Sequence, residues 1–121
     1  MRVKRGVKAR RRRNRILKLA KGFRGRSGNT IRQATARVEK SLCYAYRDRR
    51  NKKREFRSLW IKRVAAAAVQ NEMSYSKFIH GLKLAGVELD RKVLADLGAF
   101  NPEAFAEVAK VAKQGLAQVQ A

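Results

Sequence analysis

From Ile31 to Met73 the chain runs 43 residues without a glycine or a proline, and no other feature narrows its possible folds as far. Those two residues are the usual punctuation of helices and strands, so the stretch predicts one long helix, straight or bent. Ile31, Ala34, Val38, Leu42, Ala45 and Tyr46 recur at helical spacing and form an apolar stripe. The stripe then vanishes. Between Arg47 and Arg57 stand seven basic residues, Arg47, Arg49, Arg50, Lys52, Lys53, Arg54 and Arg57, with only Asp48 and Glu55 to offset them. At about 100° per residue these cations point all around the helix axis, and each like-charged pair at i,i+3 or i,i+4 costs roughly 0.2–0.5 kcal/mol. A helix charged on every side has no face for a protein core. It becomes reasonable when a polyanion lies along it. Phe56, Leu59, Trp60 and Val64 restore an apolar face just beyond, so Phe56 and Trp60 are expected to anchor a core in the second half. Tyr44 and Tyr46 suit core packing and base stacking equally.

The charge is divided as sharply as the helix. Residues 1–63 hold 25 of the 31 Lys and Arg against three acids, Glu39, Asp48 and Glu55, whereas residues 64–121 hold six against six. The whole formal excess of +22 therefore lies in the first half. Cation concentrated in this way reads as binding to nucleic acid or to anionic lipid. The neutral half has ordinary globular composition, and at about 58 residues it is marginal but sufficient for a core of its own.

Along the chain, residues 1–14, MRVKRGVKARRRRN, have too few apolar groups to repay ordering and are expected to be disordered in isolation. A short helix follows, with Ile16, Leu17 and Ala20 on its apolar side and Gly22 as its left-handed stop. The segment GFRGRSGN reads as a flexible turn whose bare backbone suits close approach to phosphate; it lacks the spacing and the Lys-Ser/Thr ending of a nucleotide loop. Asn29 or Thr30 caps the long helix. Ser74 caps another that runs through Ala85, with Tyr75, Phe78, Ile79 and Leu82 facing inward and Gly86 at its end. Asp90 caps a short helix carrying Val93, Leu94 and Leu97, which Gly98 is expected to stop. Asn101-Pro102-Glu103 opens a last helix lined by Phe105, Val108, Ala112 and Leu116. No alternating run appears anywhere. The expected fold is all-α: a basic N-terminal extension with a long helix leading into a small C-terminal helical domain, divided as residues 1–57 and 58–121.

The inventory argues against catalysis. His80 and Cys43 are single, so no disulfide, zinc site or triad follows, and no cofactor, metal or small-molecule substrate is expected. The longest apolar run, Val64 to Val69, is six residues against the roughly 20 that span a bilayer. A membrane-surface helix needs an apolar face opposite its charge, and between Arg47 and Arg57 only Phe56 is apolar. The basic N-terminus lacks a signal peptide's hydrophobic centre, and a lone thiol fits a reducing compartment, so a cytoplasmic location is expected. Nucleic acid remains. A histone-like protein would compact duplex DNA through its cations. An Arg-rich, Gly-punctuated extension beside a neutral domain favours RNA, whose helices leave gaps that such a segment penetrates.

The blocks YAYRDRR (Tyr44 to Arg50), KKREFRSLWIKR (Lys52 to Arg63), SYSKFIHGLK (Ser74 to Lys83) and DRKVLADL (Asp90 to Leu97) resemble the bacterial-type large-subunit ribosomal protein L-twenty family. RVKRG near the start and KLAKGFRG (Lys18 to Gly25) fit as well, and the resemblance is collinear from about Arg2 to Phe105. It departs where Val64, Ala65, Ala66 and Ala67 replace the family's usual Ile-Asn-Ala-Ala, and where Val69 takes the place of a common basic residue. The resemblance implies a constituent of the large ribosomal subunit that binds 23S-type rRNA directly and promotes early assembly beside neighbouring large-subunit proteins. Its extension would thread between rRNA helices. Some members also repress their own operon by binding messenger RNA. The residues themselves nominate Arg47, Arg49, Arg50, Lys52, Lys53, Arg54 and Arg57 as the first phosphate contacts, and Arg10, Arg11, Arg12 and Arg13 next. Arg2, Lys4, Arg5, Lys8, Arg15, Lys18, Lys21, Arg24, Arg26 and Arg63 complete the candidate RNA-binding set.

Overall fold

The structure is a computed structural model that describes residues 4–120, with side chains through residue 118. Its elements are α1 (Gly6–Leu19), a 3-10 turn (Gly25–Gly28), α2 (Ile31–Gln70), α3 (Tyr75–Leu84), α4 (Arg91–Phe100) and α5 (Pro102–Gln120). No strand occurs among the described residues, and the all-α architecture, long helix first and small helical region after, is as expected. Two compact units divide the chain between Asn51 and Lys52, a point that falls inside α2.

In the first unit, α1 begins at Gly6, so the part of the expected disordered stretch from Gly6 to Asn14 is helical instead. Arg, Lys and Ala are strong helix formers, and a helix nucleated at a packed end propagates cheaply away from it. That packed end is the cluster of Ala20, Ala34 and Val38, with Ile16, Leu17 and Phe23 against it. α1 finishes where the Ala20 N–H donates to the Ile16 carbonyl at 3.0 Å, and Gly22, at φ +89°, then turns the chain as anticipated. The stripe predicted on α2 is buried only as far as Val38. Leu42 and Tyr46 are each 55 % exposed, and Ala45 is exposed too. α1 and its turn bring only four apolar side chains to α2, and their cover ends there.

The second unit is built around Phe78 and Phe105, both fully buried, whose rings stack with centroids 5.0 Å apart. Val64, Ala67, Ala68, Met73, Leu82, Leu94, Ala95, Ala109 and Ala112 complete the core, and Trp60 packs on its edge. Local signals set the element ends. The Met73 N–H reaches the Ala68 carbonyl at 2.9 Å and the Glu72 N–H reaches Val69 at 3.0 Å, which closes α2 in a Schellman turn. The Ser74 hydroxyl accepts from the Lys77 N–H at 3.4 Å, and the Asp90 carboxylate accepts from the Val93 N–H at 2.8 Å. Pro102 opens α5 with Glu103 in its first turn.

Two expectations fail in this unit. Gly98 does not stop α4, which continues to Phe100; a Cβ at Gly98 would lie 2.8 Å from the Ala67 Cβ, so the glycine is there to let α4 approach α2. Phe56 is 46 % and Leu59 39 % exposed. The core reaches α2 from Trp60 onward, and the exposed Phe56 ring sits one turn before it, tilted against the Trp60 ring with centroids 6.1 Å apart.

Candidate nucleic-acid interface

The sequence-predicted cations sort by element. Lys4 and Arg5 precede α1, and Lys8, Arg10, Arg11, Arg12, Arg13, Arg15 and Lys18 lie on it. Lys21, Arg24 and Arg26 occupy the turn region. Arg47, Arg49 and Arg50 are on the part of α2 in the first unit; Lys52, Lys53, Arg54, Arg57 and Arg63 are on the part in the second. Every one of these side chains is exposed. Arg2 lies outside the described residues.

Helix propensity and the shortage of apolar groups produce this exposure together. Residues 41–59 of α2 are exposed at every position but Asn51, so neither hydrophobic cluster extends along the charged stretch. Among the described residues, the one ion pair that involves these cations joins Arg47 to Asp48 at 2.9 Å. An exposed pair of that kind contributes at most about 1 kcal/mol. The other cations of this surface form no ion pair among the described residues, and their guanidinium forks match phosphate geometry.

Arg32, Arg37, Lys40 and Lys62 are exposed cations of the same surface that the sequence reasoning did not nominate. They belong to the same charge excess, which was the signal available for them. Arg37, Arg24, Phe23 and Ser27 rim a shallow recess of about 300 Å³. Tyr44 and Tyr46, undecided from sequence, are surface residues, 45 % and 55 % exposed. The Lys40 ammonium and the Arg47 guanidinium lie 5.1 and 4.7 Å from the centre of the Tyr44 ring. The Arg50 guanidinium lies 3.5 Å from the centre of the Tyr46 ring and also donates to the Tyr46 carbonyl at 3.2 Å. Cys43 and His80 are both exposed. No cluster of three or more His, Cys, Asp or Glu suited to a metal occurs among the described residues, and no described helix is long and apolar enough to cross a membrane.

A small packed helical core continuous with a stretch of exposed cations is a surface of the kind that suits a polyanion, and comparison with known proteins places the chain among structural ribosomal proteins. The family model described as ribosomal protein L20 matches residues 2–108. Large ribosomal subunit protein bL20 of Desulforapulum autotrophicum is 65 % identical over 109 residues, which cover 90 % of this chain and 94 % of that one. The proteins of the same name from Geobacter metallireducens and Geotalea uraniireducens are 62 % and 60 % identical, over 93 % and 95 % of this chain and 96 % and 98 % of theirs. The chain belongs to the ribosomal protein L20 family.

Proposed function

We propose that the protein binds large-subunit, 23S-type rRNA directly and promotes early assembly of the large ribosomal subunit, next to other proteins of that subunit in the cytoplasm. The observation that carries this reading is the exposure of every described candidate cation from Lys4 to Arg63, with a single acid partner among them. Converging RNA helices repel through their phosphates. Arg and Lys inserted between them displace the condensed counterions, release those ions to bulk solution and let the helices approach. Residues 64–121, with six basic residues against six acids, add shape without adding charge.

Competition binding tests the proposal. The whole protein is mixed with large-subunit rRNA in near-physiological salt, against excess unrelated structured RNA and duplex DNA. A saturable complex that survives on the rRNA alone is expected. Equal displacement by all three polyanions would reduce the protein to a generic cation, as in the histone-like alternative.

A further inference from the structure

Two tyrosines on α2 stand outside both hydrophobic clusters. Tyr44 and Tyr46 stand in the exposed stretch, away from the cluster of Ala20, Ala34 and Val38 that packs the first unit. Helix formation does not call for them either, since tyrosine is a poorer helix former than the Arg, Lys and Ala around it. Each ring nonetheless has a cation beside it: Arg50 at 3.5 Å from the Tyr46 centroid, and Arg47 at 4.7 Å and Lys40 at 5.1 Å from that of Tyr44. At about 100° per residue, two positions on one helix separated by two residues face nearly opposite ways.

We propose that Tyr44 and Tyr46 are stacking sites for unpaired RNA bases on opposite sides of α2, each ring held by its neighbouring guanidinium. The inference rests on the rRNA-binding reading and adds to it the nucleotides that this helix selects. A guanidinium against the ring limits its motion, and both rings keep about half of their surface open, 45 % for Tyr44 and 55 % for Tyr46. Arg planes and aromatic rings are both surfaces on which splayed bases stack in RNA recognition. The occupant follows from charge. The rings sit among Arg47, Arg49 and Arg50, which repel a cationic partner, give a neutral one no electrostatic gain, and attract a nucleotide, whose phosphate and base engage the two kinds of side chain at once. Duplex RNA keeps its bases stacked inside, so the sites demand looped-out, bulged or junction nucleotides. Phosphate contacts would position α2, and the two rings would discriminate a junction from a continuous helix.

The test uses the full chain and large-subunit rRNA, with affinity measured across a salt series for the wild type, Tyr44→Ala, Tyr46→Ala and the two Tyr→Phe variants. Alanine is the stronger helix former, so helicity by circular dichroism is expected to hold. Each alanine variant should bind about tenfold more weakly at an unchanged salt slope, because stacking releases no counterions. Each phenylalanine variant should bind within about threefold of the wild type. Ultraviolet cross-linking of the wild-type complex gives an independent readout, with adducts at the two tyrosines expected on unpaired nucleotides. Alanine variants that bind as the wild type does, a reduced salt slope, or adducts on paired nucleotides would overturn the proposal. Loss of rRNA preference in the wild type itself would instead remove the underlying reading.

Discussion

Glu72 and Gly86 end their helices in the same way and differ in what their backbones cost. Both occupy the left-handed residue of a Schellman turn, at φ +62° and +70°; in the second, the Val87 N–H reaches the Leu82 carbonyl at 3.0 Å. Glycine adopts that conformation freely, whereas a side chain there costs roughly 1 kcal/mol. Glu72→Gly is therefore expected to stabilise the protein by about 0.5–1 kcal/mol, read as a raised urea midpoint. The Glu72 side chain is 91 % exposed and its contact with Lys113 is 3.8 Å, so little opposes the gain. Gly86→Ala should shift the midpoint the other way by a similar amount. Gly81 is a different case: a Cβ there would collide with the Ala112 carbonyl of α5. Backbone atoms yield poorly, so Gly81→Ala is expected to cost about 2–3 kcal/mol in the same melt.

At the scale of elements, α2 packs into a separate hydrophobic cluster at each end and is exposed between them. Its burial sets the expected cost of truncation. Phe78→Ala in the core should destabilise by about 3–5 kcal/mol, and Phe56→Ala on α2 by less than about 1 kcal/mol, compared by thermal melting. The helix ends were legible in advance because caps are local chemistry: Ser74, Asp90 and Pro102 each act within three residues of themselves. Gly98, Phe56, Leu42 and Tyr46 were misjudged or undecided because their environments depend on what lies opposite. A periodic pattern says which face of a helix is apolar, not how far its partner extends. α1 stops covering α2 after Val38, and the C-terminal core stops at Trp60. The cationic surface was readable as a whole, since exposure is the default for Arg and Lys. Arg32, Arg37, Lys40 and Lys62 stand outside the densest basic runs, so the sequence marks them only through the overall charge excess.

For the molecule as a whole, the division of charge implies a division of labour. The unit from Lys52 onward holds the larger core, and a fragment of residues 52–121 is expected to melt cooperatively without the rest of the chain. A broad, featureless transition would show that the core needs the first unit. The cationic stretch should be better for RNA than for the free protein. Replacing Arg54 and Arg57 with Gln relieves like-charge pairs with Arg50 and Lys53, so the free protein should gain on the order of 0.5 kcal/mol while its affinity for rRNA falls. Stability and affinity moving in opposite directions would mark residues kept for binding.

The central claim is that these cations act by replacing counterions on rRNA phosphates, and the salt dependence of rRNA affinity measures that directly. Each phosphate contact releases about 0.7–0.9 of a counterion, so six or more contacts should lower affinity at least about 10³-fold between 50 and 200 mM salt. Replacing Lys52, Lys53, Arg54 and Arg57 together with Gln should make the log–log slope about three units shallower. A slope near zero for the wild type, or one that this fourfold replacement leaves unchanged, would contradict the account.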